Sequence, residues 1–488
     1  MTAPRTYGNW RPPRGFGIGQ LSTGQTVTVF LAISIPVTVL NFSGRAGAVA
    51  LVLGALVIGA VVIKIGGSSL SDVVMRRLRF TRSKAAGWTE RTGGMVTDHL
   101  RRHDLPGPMG PIVPLSTDDG RGGKQGLLWD RRTGWLTAVL RVSPVGLDLA
   151  DQGQADAWVA NWGAFLADLG YQPMIRHVAV TVDTSPTGGT TLRDYVNDRI
   201  DPRAPASAQA VMAELAATAP SSSAEVDCRV SVTFDPALAT PRPPDLAAGV
   251  AEVTRWLPGL ESHLSMAGVA VRGRATAAWL TGRLRVAYDP ASRSDLTDYD
   301  EHSDELLRWS EAGPVSFQES WDHWQHDSGL SVSWAMVEAP RQSVMDRVLV
   351  PLLAAGPFAR RVTLLYEPLS AGAAADEVER EITNTQVRRM WAHKTKRDET
   401  QRDRDDLSRA VQSAREEAEG AGVGRFTLYV TTTVFDAEQM PAATADVEQR
   451  AGQAKVRLRR LRGAQITGFA ASLGLGINPA ELARRPRK

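Results

Sequence analysis

The sequence predicts an α+β protein in two parts: an N-terminal two-helix hairpin of transmembrane length, followed by cytoplasmic domains of the split-βαβ kind. Three observations predict this. Residues 26–40 and 46–63 are uncharged, strongly apolar runs separated by Asn41-Phe42-Ser43-Gly44-Arg45, and a helix that fills the hydrocarbon core needs ~20 residues. Basic residues crowd the outer ends of this pair: Arg5, Arg11 and Arg14 precede it, Lys64, Arg76, Arg77, Arg79, Arg82 and Lys84 follow it, and Arg45 alone lies between. The remainder alternates strand-like and helix-like segments joined by hairpin turns.

Residues 1–20 form a short basic arm, and residues 21–65 form the hairpin. A signal peptide fits poorly, because its apolar core is shorter and is followed by a small-residue cleavage site, whereas here a second apolar run follows at once. Pro36 is tolerated more readily in a membrane helix than in a soluble one. Lys64 can reach the interface, and Trp10 suits an interfacial belt. The bias of basic residues places both termini in the cytoplasm. Residues 1–110 hold 13 Lys or Arg against 4 Asp or Glu, and the remainder 43 against 49. The chain is thus a basic juxtamembrane collar on a mildly acidic body. The collar suits an anionic inner leaflet and serves topology, so no nucleic-acid partner is expected.

Residues 66–125 read as a basic linker, irregular from about residue 80 because of its proline, glycine and aspartate turns. The first α+β domain spans residues 126–313. It opens with a hairpin, 126–130 and 135–142, then a helix over 152–169, a strand at 175–182, a helix over 206–217 and a strand at 228–234. Helices over 246–266 and 275–286 flank a short strand at 269–271. The second domain, 314–478, begins with strands at 315–322 and 330–337 around the turn Asp327-Ser328-Gly329. A short helix at 345–353, a strand at 361–366 and a long helical region over 374–418 follow. A strand at 426–435, a helix over 441–453 and a strand or turn at 456–461 complete it. Residues 479–488 are a basic tail.

The chemistry-bearing residues point to no enzyme. A phosphate-cradling loop needs G-x-x-x-x-G-K-[ST]; the nearest match, Asp118 to Gln125, lacks the first glycine and the hydroxyl. No G-x-S-x-G nucleophile elbow occurs. His323 and His326 stand three residues apart beside a turn, where strand alternation separates them. We read them, with His302, as surface turn residues that hold no metal. Asp183 and Asp194, and Asp295, Asp298 and Asp300, read as loop and cap residues. The single cysteine, Cys228, reads as a buried core thiol in a reducing compartment. The run from Lys394 to Arg409 interleaves both signs and reads as a solvated helix. No cofactor or metal is expected.

The segment from Phe426 through Val456-Arg457-Leu458-Arg459-Arg460-Leu461-Arg462-Gly463-Ala464-Gln465 to Phe469-Ala470-Ala471-Ser472-Leu473-Gly474-Leu475-Gly476 resembles the end of the N-terminal, non-motor domain of TrbE/CagE-type conjugation ATPases. Gly474 stands where that pattern has proline. The chain ends twelve residues after Gly476, so no motor domain is expected to follow. The N-terminal Thr6-Tyr7-Gly8-Asn9-Trp10-Arg11-Pro12-Pro13-Arg14, the hairpin and the strand pair beginning Gly126-Leu127-Leu128-Trp129-Asp130 resemble actinobacterial integral membrane proteins with an EccE-like domain. Such proteins are associated with conjugative, type IV-like, or type VII (ESX) secretion. The hairpin is also similar in layout to PrgI-type conjugation membrane subunits. These resemblances imply a non-catalytic, membrane-anchored scaffold for a separate secretion or conjugation ATPase. They imply further membrane subunits and oligomeric assembly, and they mark Arg462, Gly463, Gln465 and Phe469 as a candidate interaction element. A membrane-tethered metal-dependent hydrolase built on His302, His323 and His326 is the alternative.

Overall fold

A computed structural model of the protein describes residues 7–8, 10, 23–65, 68–92, 105–146, 150–186, 199–201, 203–218, 224–293, 295–296, 307–394, 412 and 422–484. The fold is mixed α+β with a large antiparallel sheet. Among the described residues the α-helices of six residues or more are α1 (Thr23–Leu40), α2 (Gly44–Val62), α3 (Leu70–Ala85), α4 (Gln152–Leu169), α5 (Ala206–Thr218), α6 (Leu246–Met266), α7 (Ala277–Tyr288), α8 (Ala371–Lys394), α9 (Met440–Gln453), α10 (Gln465–Ser472) and α11 (Pro479–Arg484), and a single turn spans Val350–Leu353. The chain divides into two compact units. One comprises Asn9–Trp88 and Ala371–Ala421; the other comprises Met1–Gly8, Thr89–Ser370 and Gly422–Lys488.

In the smaller unit, α1 and α2 pack side by side. Glycines set their spacing: a Cβ at Gly47 would stand 2.5 Å from the Leu40 Cα, and one at Gly54 would strike the Ala32 carbonyl and crowd the Pro36 ring. The outward positions are apolar, with Phe30 59 % and Leu56 65 % exposed. By length and hydropathy α2 can cross a membrane; the apolar stretch Gly24–Leu40 is shorter. Lys64–Ile65 and Ser68–Ser69 form a two-residue ladder, and α3 follows, capped where the Ser69 hydroxyl accepts from the Asp72 N–H. The expected linker at 66–125 is therefore partly helical. Its many arginines were read as a collar, but Ser69 and Asp72 form a helix N-cap. Of the expected helix at 374–418, Ala371–Lys394 is observed, and most of the charged run lies outside the described residues.

The larger unit is organised by one sheet of thirteen strands among the described residues. In chain order these are β1 (Glu90–Thr92), β2 (Ile112–Asp118), β3 (Lys124–Asp130), β4 (Trp135–Pro144), β5 (Ile175–Pro186), β6 (Ala224–Phe234), β7 (Val269–Arg274), β8 (Ser316–Glu319), β9 (Trp324–His326), β10 (Gly329–Glu338), β11 (Ala359–Pro368), β12 (Gly424–Val434) and β13 (Arg457–Arg460). The spatial order is β1-β8-β9-β10-β12-β11-β5-β6-β4-β3-β2, with β13 also on β10 and β7 also on β4. Regular structure thus starts before residue 126: β2 pairs with β3 from Ile112↔Asp130 to Asp118↔Lys124. Its proline, Pro114, is compatible with the sheet edge it occupies. The turn at Asp327 joins two strands, β9 and β10, so the expected strand at 315–322 is shorter and a three-residue strand follows it.

Within the larger unit one strand arrangement occurs twice along the chain. In the first copy, β4 pairs with β3, β6 and β7, and β6 lies between β4 and β5. In the second, β10 pairs with β9, β12 and β13, and β12 lies between β10 and β11. Helix α6 leads to β7 through Gly268 at φ +76°, and α9 leads to β13 through Lys455 at φ +57°. The copies join where β5 pairs with β11, with Thr181 opposite Thr363. They form one continuous sheet.

Helices α4 and α6 cover one face of the first copy, burying Phe165, Leu169, Val253, Leu257 and Leu264 against Leu136, Leu140 and Val232. Helix α9 covers the same face of the second, with Val447 and Ala451 against Val332, Trp334 and Val430. The opposite face carries α7, α10 and the chain beyond α10.

Candidate functional site

The element from Arg462 to Phe469 is built into this second face. Gly463 adopts φ +73°, where glycine is at ease. Its N–H donates to the Trp321 carbonyl at 2.7 Å, and a side chain there would meet the Trp321 ring. Gln465 is fully buried. Its Oε1 accepts from the Ser333 N–H at 2.8 Å, and its Nε2 donates to the Leu461 carbonyl at 2.9 Å. Phe469, 1 % exposed, stacks on Tyr288 with ring centroids 5.4 Å apart, meets Trp324 edge-on at 4.7 Å, and lies beneath the Arg361 guanidinium at 5.4 Å. Gly463, Gln465 and Phe469 are thus brought together as internal fasteners, and of the four candidate residues Arg462 alone is exposed. An amide and a phenyl one helical turn apart satisfy a core as readily as a partner.

Beyond α10 the chain crosses a row of hydroxyls. Thr137–Thr233, Thr181–Thr363, Ser333–Thr431 and Ser331–Thr433 are bonded pairs at 2.8–2.9 Å. The Ser472 carbonyl accepts from Thr363 Oγ1 at 2.6 Å, the Leu473 carbonyl accepts from both Nε and Nη2 of Arg229, and the Gly474 carbonyl accepts from Ser231. Gly474 and Gly476 hold φ of +65° and +85°. A Cβ at either would collide with the hydroxyl of Thr181 or Thr137. Proline is fixed near φ −65°, so this backbone excludes it at position 474.

Next to this row lies a chain of alternating charge. Asp183 Oδ2 accepts from Arg361 Nε at 2.8 Å and stands 3.9 Å from Arg229, which in turn holds Asp227 at 2.6 Å. Arg293 and Arg283 share Glu225. Although burial opposes ionisation, the neighbouring Arg361 and Arg229 pull the Asp183 carboxyl down to about 2. A cavity of about 370 Å³ opens beside it, walled by Asp183, Arg293, Arg361, Thr431, Phe358 and Phe435 among others. Among the described residues no histidine, cysteine or lysine lines it, and the one carboxylate among them stays ionised. The described wall can recognise charge, and none of its residues exchanges a proton near neutral pH.

Asp183 was expected in a loop; it is a strand residue. Arg229, Arg293 and Arg361 went unnoticed in the sequence. The available signal was arginine at inward positions of otherwise apolar strands, but Asp183 and Arg361 are 178 positions apart. Asp295 lies among the described residues, and Asp194, Asp298 and Asp300 lie outside them, as does His302.

His326 is not a surface turn residue. It is fully buried, with Nδ1 2.5 Å from the Tyr288 carbonyl and Nε2 2.7 Å from Ser331 Oγ. Burial lowers its pKa to about 4. The neutral ring therefore donates from Nδ1 and accepts from Ser331. His323 instead pairs with Asp322 at 3.0 Å at the partly exposed edge. Among the described residues no group of three His, Cys, Asp or Glu is placed to hold a metal ion. Cys228 is half-buried, a shallower position than expected, and burial raises its thiol pKa.

No protein-family profile matches the sequence, and no curated protein is significantly similar to it.

Proposed function

We propose that this chain is a non-catalytic, membrane-anchored component of a secretion or conjugation apparatus, scaffolding a separate ATPase at the cytoplasmic membrane. The observation that carries the reading is the α1–α2 pair. Its outward surface is predominantly apolar, with the exposed Thr28 and Thr38 hydroxyls bonded back to their own helix, and glycines mediate its contact, as small residues do between helices in lipid. The positive-inside bias then puts both termini, and the body, on the cytoplasmic side. We read each copy in the body as a split βαβ unit. Supporting this, β4 and β5, like β10 and β11, each flank one intervening antiparallel strand and are joined through a crossover.

The body suits a scaffold, because Gly463, Gln465 and Phe469 serve internal rigidity while Arg462 stays exposed, and no proton-transfer group lines the charged cavity among the described residues. A rigid partner does work on a motor only by binding the motor's states unequally. The type IV-like assignment rests on the Arg462-Gly463-Ala464-Gln465 resemblance, and an EccE-like type VII component is the neighbouring possibility. The hydrolase alternative needs His326 as a ligand, and both its ring nitrogens are already engaged.

The test is photo-crosslinking from position 462 in native membranes, followed by purification in mild detergent. Recovery of a conjugation ATPase supports the reading, and an ESX ATPase moves it to type VII. Recovery of no ATPase from position 462 or from other exposed sites on the body contradicts it.

A further inference from the structure

Helix α3 carries a surface that the anchor alone does not explain. Its sequence, LSDVVMRRLRFTRSKA, holds five basic residues against one acid, and that acid is engaged at the N-cap, where Asp72 Oδ2 accepts from Ser69 Oγ at 2.6 Å. At ~100° per residue, Leu70, Val74, Leu78 and Ala85 fall on one stripe. Arg82 flanks it on one side, and Arg77 and Lys84 on the other. Phe80 lies off the stripe and is buried, which fixes the inward face. Val74, Leu78 and neighbouring Met75 are 48 %, 59 % and 52 % exposed, and Trp88, just past the helix, is 70 % exposed. Seven residues separate the end of α2 from the start of α3, so the chain reaches at most ~25 Å between them.

We propose that α3 lies flat on an anionic bilayer surface, with Val74 and Leu78 between the acyl chains and Arg77, Arg82 and Lys84 among the phosphate-bearing headgroups. Charge complementarity and the short tether to α2 select this occupant. Aliphatic residues between cations match the boundary of headgroup and hydrocarbon, whereas a nucleic-acid backbone would leave the stripe in water. The inference rests on the membrane reading of α1–α2 and adds a second, composition-sensitive contact to it.

The experiment uses the full chain with Cys228→Ser, carrying a single environment-sensitive label at Val74→Cys, Leu78→Cys, Ser83→Cys on the far side of α3, or Leu56→Cys in α2. Each is reconstituted with a lipid-borne quencher into phosphatidylcholine vesicles with or without phosphatidylglycerol. The expected result is quenching at 74 and 78 several-fold above that at 83 in the anionic vesicles, falling to the level of 83 without phosphatidylglycerol. Position 56 is quenched in both. Quenching at 56 with none above the level of 83 at 74 and 78 overturns this inference and leaves the anchor standing. No quenching at 56 removes the anchor and the inference together. Equal quenching at 74 and 78 in both vesicle types, or a response of these labels to duplex DNA and not to anionic lipid, also overturns it.

Discussion

In α1 and α2 the residues turned outward are Phe30, Leu31, Leu53 and Leu56, and those turned toward the partner helix include Gly47, Gly54 and Pro36. In the sheet of the other unit the arrangement is reversed: aliphatic side chains fill the inside, and even the internal polar residues, Thr181, Thr363 and Thr431, are bonded to one another or to backbone. Both regions use glycine for close approach, but one turns its apolar side chains outward and the other turns them inward. The contrast teaches that burial alone does not identify a core; the surroundings each region satisfies do.

The comparison breaks most visibly at the glycines of the body. Gly474→Val forces a β-branched residue to positive φ against Thr181, and should cost about 4 kcal/mol or prevent folding; urea denaturation of detergent-solubilised protein measures it. Phe469→Ala removes the ring shared by Tyr288, Trp324 and Arg361, for about 3–4 kcal/mol, read the same way. Full retention of stability in either variant would show that the crossing segment is not a fastener.

A pH titration sharpens the contrast. His326 is held neutral, with its pKa lowered from 6.5 to about 4. Its stabilising contribution is complete above pH 6.5, where folded and unfolded forms are both unprotonated. It is lost as pH falls from about 6.5 to 4, because the unfolded chain takes up the proton first. The body should lose on the order of 3 kcal/mol across that window, and His326→Gln should flatten the slope. Asp183 acts lower: with its carboxyl at about 2 against 3.8, its contribution is present above pH 3.8 and fades as pH falls through 2. In the helix pair, Gly54→Val should cost about 1–3 kcal/mol of α1–α2 association, seen as weakened contact between labels on the two helices, with the urea midpoint of the body unchanged. Smallest of all, Arg462→Ala should alter stability by less than about 0.5 kcal/mol yet reduce ATPase capture.

Much of the fold was legible in the chain. Helices α4 and α6 match their expected bounds because Asp151 and Asp245 cap amphipathic runs, and the β3–β4 hairpin follows from alternation around Arg131 to Gly134. Strand β9 was missed because three residues carry no period, and β2 because proline and aspartate speak of turns until an edge strand explains them. Helix α3 was hidden by its own charge. The site was less legible still. The hydroxyls of Thr137, Thr181 and Thr363 read as solvent-facing in any single strand, and only the later chain from Ser472 to Gly476 encloses them. His326 likewise looked like a turn residue until Tyr288 and Ser331, one of them distant in sequence, closed around it. The two-copy arrangement has no sequence echo strong enough to notice; matching pairings disclose it.

Alkaline carbonate extraction of membranes holding the full chain, beside a chain lacking residues 1–65, tests the central claim most directly. The account predicts that the full chain resists extraction while the shortened chain is released. Release of the full chain into the carbonate supernatant would contradict it.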